Sequence, residues 1–65
     1  MPVIKIAQSN DRTTEQKAEV TKRITEAMVD VYGVRSESVM VFFEEYDDES
    51  WGKNGLLNFD RKKAK

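Results

Sequence analysis

Proline at position 2, directly behind the initiator methionine, is the residue of this chain best placed to do chemistry. Removing Met1 would make Pro2 the amino terminus and turn its ring nitrogen from a tertiary amide into a secondary amine. An amide nitrogen has no useful basicity, whereas a free amino terminus titrates at roughly pH 7.7 to 8.0, where a general base is useful. With Met1 retained, that base does not exist. Other chemistries find little support. The chain has no cysteine and no histidine, which removes disulfides, thiolate nucleophiles and most zinc sites. Glu44, Glu45, Asp47, Asp48 and Glu49 form an acidic run, but it lacks the alternating ligands and central glycine of a calcium loop and reads as a solvated rim. These residues call for no metal and no cofactor.

A base needs a scaffold, and this one is small. The 65 residues make a single domain, 1–65, and a chain of this size buries only about 60% of the surface its unfolded form exposes. Small domains compensate with disulfides, a metal or oligomerisation, and only the last is open here. Eleven basic against twelve acidic residues give a net charge of −1, too balanced for a protein whose main task is gripping phosphate backbones, so no nucleic acid is expected. The amino terminus has no apolar run of signal-peptide length, and no stretch approaches the roughly 20 apolar residues of a membrane span. A cytoplasmic location without membrane contact is the default expectation.

Val3 to Gln8 is rich in β-branched residues and reads as a first strand, with Pro2 tolerated at its start. Ser9 to Arg12 forms a polar loop. Thr13-Thr14-Glu15-Gln16 then offers a capping box, and a helix follows with Val20, Ile24, Ala27, Met28 and Val31 as its apolar stripe. Gly33 is placed to close it in a left-handed conformation. Val39 to Phe43 is a second strand, and Asn54-Gly55 predicts a hairpin through a type I′ turn. The tail after about residue 59 is expected to be loosely ordered.

Strand, helix and strand make a βαβ unit with parallel strands. The predicted fold is therefore α+β: one βαβ unit and a short C-terminal β-hairpin. Alternation puts Val39, Val41 and Phe43 on one sheet face and Met40 and Phe42 on the other. One helix covers one face, so the second is expected to be covered by another subunit, giving an oligomer.

The residues resemble a known family. Pro2, the segment Asn10-Asp11-Arg12-Thr13-Thr14-Glu15-Gln16-Lys17, the long helix, an apolar strand ending in Glu44-Glu45, and Trp51-Gly52 look like 4-oxalocrotonate tautomerase and its small-subunit relatives, over about residues 2 to 57. The resemblance implies a sheet-based dimer that commonly assembles into hexamers. It also implies a cofactor-free isomerase that interconverts keto and enol acids, with Pro2 as the catalytic base. In that reading Arg12 binds the substrate carboxylate through its planar fork and Trp51 supplies an apolar wall.

One position departs from the pattern. Well-known members carry a second arginine on strand two, contributed by a neighbouring subunit; the matching residue here is Met40. Losing such a donor costs about 2.7 to 4 kcal/mol in the barrier elsewhere. Weak activity on dicarboxylates follows, with arylpyruvate enols or poorly processed 2-hydroxydienoates as the expected substrates. The alternatives are a non-catalytic or vestigial oligomeric relative, and a hydratase- or dehalogenase-like member that uses one of the carboxylates to activate water.

Overall fold

The computed structural model describes residues 1–63, in which β1 (Val3–Ser9) is followed by a 19-residue helix α1 (Thr14–Tyr32) and by β2 (Met40–Tyr46). A single 3-10 turn, Ser36–Ser38, links α1 to β2. The hairpin strands β3 (Gly52–Lys53) and β4 (Leu56–Leu57) and a short helix α2 (Asn58–Lys63) complete the chain.

Both ends of α1 are set by local chemistry. The Thr13 hydroxyl accepts from the Gln16 amide at 3.0 Å, and the Gln16 side chain accepts from the Thr13 amide at 3.0 Å. The predicted capping box is therefore complete, and two otherwise unpaired N–H groups are satisfied. Gly33 ends the helix at φ 71°, its N–H donating to the Val29 carbonyl at 3.0 Å.

The helix face turned inward is not quite the predicted stripe. Ile24 and Met28 are half-buried as expected, but Val20, Ala27 and Val31 are exposed, Val31 at 78%. Lys17, Thr21, Thr25 and Val29 take their place. Two threonines can serve an inner face because their hydroxyls donate to carbonyls one turn back, Thr21 to Lys17 and Thr25 to Thr21, each at 2.8 Å. Their polar atoms are thus satisfied before any packing. The sheet beneath has only two strands, too narrow to cover the whole apolar arc.

β1 and β2 are parallel, with Val3 opposite Met40, Ile4 opposite Val41 and Ile6 opposite Phe43. Ile4, Ile6, Val41 and Phe43 are the half-buried set, and the other face carries Val3, Met40, Phe42 and Tyr46, each 39–47% exposed. Among the described residues none is fully buried. β2 runs three residues beyond the predicted Phe43, because Ala7 to Ser9 continue to pair with Glu44 to Tyr46. Lys17 Nζ meets Glu45 Oε2 at 2.9 Å and offsets the acidity of that extension.

The hairpin turns at Asn54 and Gly55, both at positive φ, 58° and 83°. This is the signature of the predicted type I′ turn. Gly52 is required for a different reason: a Cβ there would lie 2.7 Å from the Leu56 carbonyl oxygen. Residues 58–63, which run into the predicted tail, form α2. Asp48 holds it, accepting from Asn58 Nδ2 at 2.8 Å and from Lys62 Nζ at 3.0 Å. Residues 64 and 65, the end of that predicted tail, lie outside the described residues.

Candidate active site

Pro2 sits immediately before β1 and is half-buried. Its carbonyl accepts from the Met40 amide at 3.0 Å, which ties the start of β1 to the start of β2. Met1 ahead of it is 86% exposed, accessible to trimming.

Arg12 lies beyond the other end of β1, in the loop before the cap of α1. Its Nε is 3.8 Å from Asp11 Oδ1, too far for a hydrogen bond, and both side chains are 62% exposed. Asp11 is occupied elsewhere: it accepts from the Ser9 hydroxyl at 2.7 Å. That bond, with the Arg12 charge beside it, holds the Asp11 carboxyl below its usual range. The Arg12 guanidinium is left in a position to grip an external anion. It borders a cleft of about 400 Å³ whose walls include Gln8, Gln16 and Lys17 over Val20 and Phe43. The Lys17 ammonium there is paired with Glu45, whose carboxyl is held low first by that hydrogen bond.

Neither Pro2 nor Trp51 lines this cleft. β1 has seven residues, and at about 3.3 Å per residue it holds Pro2 and Arg12 roughly 20 Å apart. Within one chain the two cannot meet on a small molecule. The structure thus brings Pro2 together with Met40, and Arg12 together with Gln8 and Gln16. A site containing both Pro2 and Arg12 needs at least two chains.

Trp51 precedes β3 and is half-buried. Its indole Nε1 is shielded from solvent and has no hydrogen-bond acceptor among the described residues, a state that typically costs about 1 to 3 kcal/mol. The cluster of Asp48, Asn58 and Lys62, joined to Trp51 through the Asn58 N–H, is not visible in the sequence, where the acidic run reads as a solvated rim. Among the described residues no group of acids converges on a potential metal site, and no helix is long and apolar enough to cross a membrane.

The chain belongs to the tautomerase family, whose model, described as tautomerase enzyme, matches residues 2–60. It is 34% identical over 56 residues to 2-hydroxymuconate tautomerase of Comamonas testosteroni, covering 86% of this chain and 89% of that one. The Bacillus subtilis 2-hydroxymuconate tautomerase is 31% identical over 55 residues, covering 85% and 89%. Among solved structures, a 4-oxalocrotonate tautomerase isozyme from Methylibium petroleiphilum superposes with a TM-score of 0.89 at 31% identity, covering 98% of this chain and all of that one. A heterohexameric 4-oxalocrotonate tautomerase from Chloroflexus aurantiacus superposes at 0.81 with 25% identity, covering 92% and 97%. The predicted fold is the observed one, and family membership makes this an isomerase-type enzyme.

Proposed function

We propose that this protein is a cytoplasmic, cofactor-independent keto–enol tautomerase that acts on 2-hydroxydienoate or enolpyruvate-type acids as a homo-oligomer, a dimer or a dimer-based hexamer. Pro2 is its general base once Met1 is removed. One observation carries the reading: Pro2 is pinned by the Met40 N–H at 3.0 Å beneath an exposed Met1. Trimming would leave a fixed secondary amine rather than a frayed end.

The lone pair of that amine takes the proton of the substrate's 2-hydroxyl. The O–H electron pair becomes the C2 keto bond, and the C2=C3 pair moves to C3 or, through a conjugated diene, to C5. That carbon then recovers the proton from the prolinium, so nothing is oxidised and no co-reactant is consumed. Arg12 of a neighbouring chain binds the carboxylate, and Trp51 excludes water from one side. A guanidinium and an apolar wall both disfavour the protonated amine, which keeps the base available. Met40 offers no cation at the head of β2, which favours mono-acids over dicarboxylates and makes altered preference the expected behaviour.

Intact mass and turnover test this together. Pro2→Ala should lose about 100-fold or more on phenylenolpyruvate or 2-hydroxymuconate. Full activity in that variant, or in chains still carrying Met1, would overturn the reading and favour a vestigial or water-activating relative.

A further inference from the structure

One hydrogen-bonded cluster takes no part in the chemistry above. Asp48 Oδ1 accepts from Asn58 Nδ2 at 2.8 Å and Asp48 Oδ2 from Lys62 Nζ at 3.0 Å, while the Asp48 carbonyl accepts from the Phe59 amide at 2.9 Å. Asn58 in turn donates its backbone N–H to the carbonyl of Trp51 at 3.0 Å. On the other side of Trp51, the Asp47 carboxylate accepts from the Ser50 hydroxyl at 2.5 Å and the Glu49 amide at 3.2 Å. The Asp48–Asn58 and Asn58–Trp51 bonds therefore close a ring with the chain from 48 to 51, and the Asp47 bonds shape the turn within it. Asp48, Trp51 and Asn58 are half-buried, while residues 52–57 of the hairpin between them are exposed. The ring closes the base of the hairpin, beyond which β3 and β4 pair from Gly52–Leu57 to Lys53–Leu56.

We propose that Asp48 is a positioning residue: through Asn58 it fixes the backbone of Trp51, and so the apolar wall of the substrate site. The inference rests on the reading that Trp51 walls that site. Charge-assisted and part-buried bonds of this kind polarise one another and lock a single arrangement. Replacing the acceptor should free the indole without touching Pro2 or Arg12.

The chain has a single tryptophan, so its emission reports on this residue alone. Asp48→Ala is expected to shift Trp51 emission to the red and raise its quenching by acrylamide. It should also raise KM for phenylenolpyruvate about threefold to tenfold with kcat little changed, since a wall binds ground and transition states alike. Asp48→Asn keeps an oxygen for Asn58 Nδ2 and should recover most of both readouts. Lys62→Met removes a charge but spares the ring and should stay near wild type. Unchanged emission in a folded Asp48→Ala chain overturns the positioning role, as does a shifted emission with unchanged KM. If Asp48→Ala does not fold by circular dichroism, Asn58→Ala breaks the same bond from the donor side and must give the same two changes. The emission readout is independent of Pro2, so an active Pro2→Ala variant would refute the tautomerase reading and still leave the ring tested.

Discussion

Two chains disabled in different halves of the site are expected to restore activity when mixed. Pro2 and Arg12 flank the seven residues of β1, a separation of roughly 20 Å at strand geometry, so the proposed site requires its base and its carboxylate grip to come from different chains. Pro2→Ala alone should fall about 100-fold, and Arg12→Ala about tenfold or more, the value of a charge-assisted hydrogen bond. In a two-fold pair holding one of each, one site carries both lesions and the other carries neither. Random re-association of equal amounts makes about half of the pairs mixed, so about a quarter of wild-type activity should return. The assay is loss of enol absorbance after the variants are unfolded together and refolded, with wild type treated identically as the control. Activity no higher than the mean of the two parents, in a control that recovers fully, would refute the argument that the site is composite.

The exposed sheet face is the second place to probe. Val3, Met40, Phe42 and Tyr46 are 39–47% exposed, and burying what remains of them is worth about 3 to 6 kcal/mol per chain; Phe42→Asp should therefore reduce the sedimenting mass and the thermal midpoint together, and an unchanged assembly would count against this face as the interface. Thr13→Ala opens the capping box and should destabilise the fold by about 0.5 to 2 kcal/mol in denaturant titrations, without altering the helix register. The Glu45 carboxyl is held below its ordinary value of 4.5 by the Lys17 hydrogen bond, so its contribution is complete above that pH and is lost as pH falls through the lower folded value. Thermal midpoints of wild type and Glu45→Gln should differ at neutral pH and converge on acidification; a gap that stays constant with pH would show that the pair's charge is irrelevant.

What the sequence displays and what it conceals divide along a physical line. The cap at Thr13 and Gln16, the Gly33 terminus and the Asn54-Gly55 turn depend on a few adjacent residues, and each appears as predicted. The inward face of α1 was only partly legible. Hydrophobicity favoured Val20 and Val31 over Thr21 and Thr25, yet a threonine that satisfies its own hydroxyl within the helix can take an inner position beside a narrow sheet. α2 was hidden because its anchor is a carboxylate ten residues earlier in the chain, and composition there shows only acid followed by base. Pro2 and Arg12 were visible as residue types, but their separation becomes apparent only when β1 is laid out as a strand.

Three features of the single chain are incomplete in ways that point to one remedy. Among the described residues none is fully buried, the two polar halves of the proposed site lie at opposite ends of a strand, and the Trp51 N–H is shielded with no acceptor among them. The first is a deficit of apolar burial, the second of geometry and the third of hydrogen bonding, and intrachain rearrangement cannot repair the second at all. In the proposed assembly, association would repair it by bringing another chain's Arg12 to each Pro2, and the same contact would cover Phe42 and Met40. Stability and catalysis are then linked through mass action: any change that weakens the shared sheet face removes sites in proportion to the chains it releases. Activity per chain should accordingly fall on dilution over the same concentration range as the fold, rather than persist in a folded but inactive monomer.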